Sequence, residues 1–398
     1  MHAILRPRSD RGQHFVWRHG NGGETAYNRR PMRLMPVFCL SLLGPVLAGE
    51  QPANRPYPLW DGQESVADYA KHENLPSTKT LDLGNGVKLE MVLIPAGQFI
   101  MGTPEPVTPN KSVMLGQPIV VLGGALALIL VAVVIVQSVR KRQRPKFSLR
   151  WLLLFVFSVS IAMYGGVRWH KAAWKEYDAA KMRFEEARPE EKPAHVVKLT
   201  TPFYMGKFLV TQEQYQQIVG FNPSPFVAKD NPVAFVSWDK VQEFCRSLET
   251  KLKISVRLPT EAEWEYSCRA GTRTRFYSGD NDEDVSRVAW CECNRNGSKH
   301  PNPVGQKDAN IFGLYDMHGN LFQFCQDWYS EDYYSKSPPE DPQGPLQYPK
   351  GGDARVLRGG PWYCNLALCR SARRNGTSSW DGSDAIGFRV VMPVRETE

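Results

Sequence analysis

The chain has 398 residues, 42% of them hydrophobic, which is enough to bury a sizeable core in one large domain or two ordinary ones. Its formal net charge of +8 is local, because residues 1–31 hold six Arg against two acidic residues and residues 138–150 hold six Lys and Arg. The remainder is slightly acidic, which excludes the extended basic face of a nucleic-acid-binding protein, so no nucleic-acid partner is expected.

The first element in chain order starts at Met32 and reads MRLMPVFCLSLLGPVLAGEQ. It has the three parts of a secretory signal. A positive charge precedes an apolar run, and small residues follow it. Because it lies deep in the chain, we expect a leader and signal peptide over residues 1–49, with the real start at Met32 or Met35. The alternative is an amphipathic leader followed by a short buried helix. Residues 50–84 are predicted to be a linker.

Two uncharged apolar segments follow, at about 112–139 and 151–167. At 1.5 Å per residue the first is long enough to cross a bilayer core of about 30 Å, and the second crosses it only with little tilt. They predict an inserted transmembrane hairpin, which with a helical stalk occupies residues 105–193 and anchors the chain. The basic loop 138–150 would then be cytoplasmic and the globular domain extracytoplasmic, on the periplasmic side. The alternative is a soluble protein that buries both helices.

The flanking regions have the pattern of a small mixed domain. Residues 87–103, VKLEMVLIPAGQFIMGT, alternate and break at Pro95, which predicts a β-hairpin with its turn there. Thr211 is predicted to cap a helix, and a second, longer helix is predicted over 238–253. After Arg257 short apolar pieces are separated by Gly, Asn, Asp and Pro. The pattern predicts a loop-rich α+β domain.

Conventional catalytic motifs are absent from the sequence, which has no GxSxG, no HExxH, no P-loop and no dinucleotide-binding fingerprint after a strand. His318, in DMHGN, is predicted to stabilise a turn rather than to bind a metal. Four longer motifs occur in order: RLPTEAEWEYSCRAGT (257–272), NIFGLYDMHGNLFQFCQDWY (310–329), RVLRGGPWYCNLALCRSARR (355–374) and IGFRVV (386–391).

Together these motifs closely resemble the formylglycine-generating enzyme, or sulfatase-modifying factor, family, of bacterial type. The resemblance covers roughly residues 85–104 and 194–393, so the predicted domain consists of 85–104 and 194–398 with the membrane hairpin inserted between them. It implies a C-type-lectin-like α+β fold with little regular secondary structure.

Two cysteines carry the function that the resemblance implies. In the family, a pair of cysteines binds Cu(I) and, with O2, oxidises a cysteine of an unfolded sulfatase to formylglycine. Cys364 and Cys369 match both positions, so they are predicted to be catalytic and to bind copper, for which thiolates are suitable soft ligands. The chain would be an oxidoreductase that acts on a sulfur group with O2 as acceptor, and its partner would be a sulfatase polypeptide.

The chain departs from the family at three positions. Pro361 replaces the serine after Gly-Gly, and Phe322-Gln323 replaces Trp-Glu. Pro has neither a hydroxyl nor an N–H. These departures favour the alternative function, a non-catalytic lectin-like module of the same fold that binds a peptide or glycan.

The resemblance also implies a weak calcium site. Its ligands would be the Asp316 side chain, the carbonyls of Gly319 and Leu321, and the Gln323 side chain. Calcium favours anionic oxygens, and the neutral amide of Gln323 stands where the family has a glutamate.

The remaining cysteines are predicted to have structural roles. These cysteines are Cys245, Cys268, Cys291, Cys293 and Cys325. In an oxidising compartment they would form disulfides, and the sequence leaves their pairing open. Cys291-Glu-Cys293 is expected to be too tight for an easy disulfide. The alternative for Cys364 and Cys369 is that one of them, too, pairs in a disulfide.

Overall fold

The computed structural model describes residues 57–108, 149–294, 297–346, 352–380 and 382–394, and a few positions between 129 and 140. The chain divides into two compact units, Met1–Ala53 and Asn54–Glu398, and all described residues belong to the second. The predicted signal peptide, most of the first predicted membrane segment, 112–139, and most of the loop 138–150 lie outside the described residues.

Within the described residues the elements are short, apart from one helix. The α-helices are α1 (Val66–His72), α2 (Leu149–Glu186), α3 (Gln212–Val219), α4 (Trp238–Leu252), α5 (Glu261–Arg269) and α6 (Asp282–Val288). The strands are β1 (Thr78–Gly84), β2 (Val87–Ile94), β3 (Gly97–Met101), β4 (His195–Leu199), β5 (Phe203–Gly206), β6 (Ala289–Trp290), β7 (His318–Gly319), β8 (Phe322–Trp328), β9 (Ala354–Arg358), β10 (Asn375–Ser378), β11 (Ile386–Gly387) and β12 (Val391–Pro393). Short elements joined by loops agree with the α+β domain that the sequence predicted.

Two four-stranded sheets organise the domain. The first has the order β1-β2-β5-β12 and is antiparallel throughout. The second has the order β10-β9-β8-β11, in which only the β8–β11 pair is parallel. Since β1 pairs with β2, the end of the predicted linker 50–84 is part of the first sheet. Aromatic side chains fill the core beneath it, with Tyr215, Phe244 and Phe388 in mutual ring contact.

Both predicted helices are confirmed, together with their end signals. α3 begins after Thr211, whose hydroxyl accepts from the backbone N–H of Gln214, while the Gln214 side chain accepts from the N–H of Thr211. It ends at Gly220, which is left-handed with φ 92°. α4 begins after its cap Ser237 and ends at the left-handed Lys253.

The predicted hairpin at Pro95 has the right strands and the wrong pairing. β2 and β3 flank Pro95 as expected, but β2 lies between β1 and β5, and β3 pairs with β4, with Met101 opposite His195. The last four residues of β2 are all buried, which is the pattern of a strand covered on both of its faces. Residues 102–194 are therefore inserted within a β-hairpin formed by β3 and β4.

The helix α2 differs from the predicted membrane anchor. This single 38-residue helix includes both the second predicted membrane segment, 151–167, and most of the predicted stalk. No helix in the described part of the chain is long and apolar enough to cross a membrane. This finding overturns the predicted two-helix anchor, and with it the predicted localisation of an extracytoplasmic domain and a cytoplasmic loop 138–150.

Candidate functional site

The cysteine segment begins where β9 ends, with two glycines in the left-handed region. Gly359 has φ 93° and Gly360 has φ 82°. A Cβ on Gly360 would lie 2.9 Å from the carbonyl oxygen of Leu368 and 3.0 Å from Sγ of Cys369. Only glycine fits this position. Any other residue would be strained at this positive φ, and its Cβ would collide with Leu368 and Cys369.

The chain then folds back and brings the two cysteines together. The N–H of Cys364 donates to the carbonyl of Pro361 at 3.2 Å. Asn365 caps a 3₁₀ helix, Leu366–Cys369, by accepting from the N–H of Ala367 at 3.1 Å. As a result Sγ of Cys364 lies 3.2 Å from Sγ of Cys369, and both are free thiols.

The cysteine pair lies in an apolar setting. Cys364 is 5% exposed and Cys369 is fully buried, among a small cluster that includes Phe276, Val285 and Val288. The hydrogen bond with Cys364 and then burial raise the pKa of the Cys369 thiol well above its usual value. Two adjacent thiols that are shielded from water are a donor set that fits Cu(I), and binding would displace their protons.

His318 fixes the backbone of this segment. Its Nδ1 lies 2.7 Å from the carbonyl oxygen of Cys369, and its Nε2 lies 3.1 Å from the backbone nitrogen of Tyr277. Nδ1 must donate and Nε2 must accept, so the ring is neutral. Burial lowers the pKa of His318 to about 3, which agrees with this arrangement.

Sequence reasoning missed the carboxylates that hold the arginines after Cys369. Glu191 is fully buried in a 3₁₀ turn after α2, and both its oxygens accept from Arg370, at 2.7 and 2.8 Å. Glu190 accepts from Arg373 at 2.8 Å. The sequence assigned both carboxylates to a solvated connector. The closely spaced arginines of CRSARR were the signal that buried acidic partners were required.

A disulfide adjoins the site. Cys291 and Cys293 are joined, contrary to the expectation that their spacing is too tight. Between them, the N–H of Glu292 donates to the carbonyl of Cys364 at 3.0 Å. Three further cysteines are free and buried: Cys245, Cys268 and Cys325.

The residues predicted to bind calcium lie close together but are bonded to one another and to cations. The Gln323 oxygen accepts from Trp264 Nε1 at 2.8 Å and from Arg389 Nε at 2.7 Å, and its Nε2 donates to the Asp316 carbonyl. The Asp316 carboxylate accepts from the N–H of Gly305 at 2.8 Å, and burial raises its pKa.

This set does not fit calcium, because the Gln323 oxygen already accepts from two N–H donors, one of them cationic, and the Asp316 carboxylate accepts from Gly305 and Asn320. The carbonyls of Gly319 and Leu321 alone are a poor site for a divalent ion. Among the described residues no three His, Cys, Asp or Glu side chains are grouped so as to hold a metal ion.

Two departures from the family pattern are apolar side chains, Pro361 and Phe322. Pro361 is buried directly before the cysteine turn. Phe322 is half-buried at the start of β8 and packs against the larger core cluster, while its N–H donates to the carbonyl of Ala385 at 2.8 Å. Neither side chain offers a polar group to the cysteine pair.

Comparison with known proteins defines the class to which this fold and site belong. A sequence profile of the sulfatase-modifying factor enzyme 1-like domain matches residues 175–394, more than half of the chain, and the chain belongs to that family. The chain is 35% identical over 177 residues to a formylglycine-generating enzyme of Streptomyces coelicolor, covering 41% of this chain and 52% of that protein.

Other relatives have different names. The chain is 33% identical over 203 residues to a protein named chaperone protein LppX of Paenibacillus barcinonensis, covering 38% of this chain and 68% of that protein. The structure of Treponema denticola variable protein 1 matches with a TM-score of 0.52 at 22% identity, covering 80% of this chain and 99% of that one, which supports the fold alone. The chain therefore spans about two thirds of one curated relative and about half of the other.

Proposed function

We propose that this chain is a formylglycine-generating-type oxidase, in which Cys364 and Cys369 bind Cu(I) and a cysteine of a sulfatase polypeptide is the substrate. The observation that carries the proposal is the 3.2 Å separation of the two free sulfurs at the positions of the family's copper-binding pair. The similarity to formylglycine-generating enzymes supports the same reaction class. Copper, when bound, would supply the chemistry that activates O2 and the substrate sulfur.

The chain's own residues have positioning roles in this proposal. His318 holds the Cys369 carbonyl, and Gly360 leaves the space in which the Cys369 sulfur lies. Burial excludes water from the sulfurs, while Cys364 keeps the slight exposure that a third sulfur needs in order to approach. Tyr363, the residue before Cys364, is 42% exposed and offers an aromatic surface to an incoming peptide.

The first test is Cu(I) titration of the purified full chain against a competing chromophoric chelator. We expect one tightly bound Cu(I) per chain, and loss of that binding in both Cys364→Ala and Cys369→Ala. Cys245→Ala is the matched control, because Cys245 is also a buried free thiol but lies in a different cluster. Equal binding by all four proteins would rule out the cysteine pair as the copper site.

The second test measures the reaction itself. A peptide copied from the cysteine-containing segment of a sulfatase is incubated with the copper-loaded chain and O2, and aldehyde formation is followed with a hydrazide probe. Product is expected from the wild type and from Cys245→Ala, and none from Cys364→Ala or Cys369→Ala.

The alternative function is a non-catalytic binding module of the same fold. It is favoured by Pro361, which has no hydroxyl to place oxygen or substrate, and by Phe322, whose ring packs into the core. Tight Cu(I) binding without any aldehyde product would favour this alternative, as would the absence of Cu(I) binding. Retention of the sulfatase peptide by immobilised chain would then identify the ligand class.

A further inference from the structure

Three cysteines from two pairs share one small buried cluster next to β6. Cys291 belongs to the same buried cluster as Cys364 and Cys369. The hydrogen bond from the N–H of Glu292 to the carbonyl of Cys364, at 3.0 Å, fixes the two segments against each other. One pair is a disulfide and the other consists of free thiols. The segment that carries the disulfide is therefore held against the segment that carries the free thiols.

The two sulfurs of the disulfide differ in their surroundings. Cys291 is fully buried and faces the cluster, whereas Cys293 is exposed to solvent. In thiol–disulfide exchange, the attacked sulfur must be near the incoming thiolate, and the leaving sulfur is favoured where its charge is solvated. This asymmetry suits attack from inside the protein on Cys291 and departure of Cys293 into water.

We propose that the Cys291–Cys293 disulfide exchanges with the Cys364/Cys369 dithiol, so that one disulfide passes between the surface and the buried cysteine pair. The Cys364 thiolate attacks Sγ of Cys291, the Cys291–Cys293 bond breaks, and Cys293 leaves as a thiolate that takes a proton from water. Cys369, with its sulfur 3.2 Å from that of Cys364, then attacks the Cys364 sulfur and releases Cys291 as a thiol.

The exchange is balanced within the chain. One S–S bond breaks and one forms, two electrons pass from the Cys364/Cys369 pair to the Cys291/Cys293 pair, and two protons follow. No external oxidant or reductant takes part in the step itself. Closure of the second disulfide needs no long movement, because its two sulfurs already touch.

A consequence for metal binding follows, and this part rests on the proposed function. When the disulfide joins Cys364 to Cys369, no thiolate ligand remains for Cu(I). When it joins Cys291 to Cys293, the ligand pair is free. Since Cu(I) binds only the second form, its addition shifts the exchange toward the Cys291–Cys293 disulfide by mass action.

The test is disulfide mapping of the full-length chain in a glutathione buffer that leaves one disulfide per molecule. Samples are quenched in acid, alkylated with N-ethylmaleimide, digested and analysed by mass spectrometry. In the wild type we expect both the Cys291–Cys293 and the Cys364–Cys369 disulfides. In Cys369→Ser, which lacks the thiol that completes the exchange, we expect a Cys291–Cys364 cross-link to accumulate.

Cys245→Ser is the control, because Cys245 lies in another cluster, and its map should equal that of the wild type. Circular dichroism checks that each variant folds, and the wild-type map is informative without any variant. A disulfide confined to Cys291–Cys293 in the wild type, with no cross-link in Cys369→Ser, would overturn the exchange.

Repeating the disulfide mapping with added Cu(I) distinguishes failure of the exchange from failure of the proposed copper site. Exchange that is unaffected by added Cu(I) would sink the proposed copper site and leave the exchange standing. Tight Cu(I) binding with no exchange would overturn the exchange and leave the proposed copper site standing.

Discussion

Gly360 determines how closely the cysteine segment packs on itself. Gly86 has the same φ of 82°. The two glycines differ in the space around them, because a Cβ on Gly86 would have no other atom within 4 Å. We expect Gly86→Ala to cost about 1 kcal/mol from backbone strain alone. Gly360→Ala adds a collision with Leu368 and Cys369 and should cost roughly 2–4 kcal/mol, with weaker Cu(I) binding.

Urea unfolding of both glycine variants measures the two costs, and Cu(I) titration measures the effect on the site. Equal destabilisation of the two variants would mean that the segment relaxes without strain, and that Gly360 is required only for its φ.

The neutral state of His318 makes folding sensitive to acid. The folded-state pKa is lowered from 6.5 to about 3, so between these values the unfolded chain holds a proton that the folded chain lacks. This contribution to stability is complete above pH 6.5 and is lost as the pH falls toward 3, by about 1 kcal/mol per pH unit. His318→Asn should remove that slope, as measured by urea unfolding between pH 7 and pH 4.5.

The wild-type chain, measured over the same pH range, is the reference for this prediction. If His318→Asn keeps the wild-type slope, the ring of His318 is not the group that acid protonates.

At the scale of elements, the turn after α2 is joined to the cysteine segment by charge. Glu191 is fully buried and accepts twice from Arg370, the residue after Cys369. Glu191→Gln would remove the carboxylate that binds the buried Arg370 guanidinium twice, leaving only Glu186 at 3.6 Å from its Nε, and should cost about 3 kcal/mol. Thermal unfolding is the measurement.

The matched control is Glu185→Gln on α2, where Glu185 and Lys181 form an exposed pair at 3.8 Å. That change should cost less than about 0.5 kcal/mol. Similar losses from the two variants would contradict the buried ion pair as the main attachment of this turn.

Local sequence signals and long-range partners differed in how well they could be predicted. Thr211 and Gly220 bound α3 through bonds within a few residues, so the pattern was sufficient to predict both ends. Alternation along β2 and β3 indicated strands but not their partners, because a period of two reports the face of a strand and not its neighbour. The family resemblance selected Cys364 and Cys369, whereas Glu191 carries no local mark, since its partner is 179 positions away.

For the whole molecule, the segment inserted between β3 and β4 should be removable. Thr103 already touches Glu191, with its N–H 3.1 Å from the Glu191 carbonyl. Replacing residues 104–190 by Asn-Gly, a turn suited to two-residue hairpins, should therefore leave a foldable domain. The ion pairs Arg183–Asp280, Arg275–Glu186 and Arg373–Glu190 would be lost, and the melting temperature should fall by about 5 °C.

Circular dichroism at rising temperature checks this prediction, and Cu(I) titration checks that the cysteine pair survives. A shortened chain without a cooperative transition would mean that the inserted segment is needed for folding and not only attached to the domain.

The strand order of the first sheet delays its completion during synthesis until the last strand has been made. β2 emerges early, but it lies between β1 and β5, and β5 in turn needs β12, which ends at Pro393. Roughly 300 residues separate β2 from β12, which at about 5–20 residues per second corresponds to some tens of seconds on the ribosome. During that interval the apolar side chains of β2 lack their final neighbours and remain open to contacts with other chains.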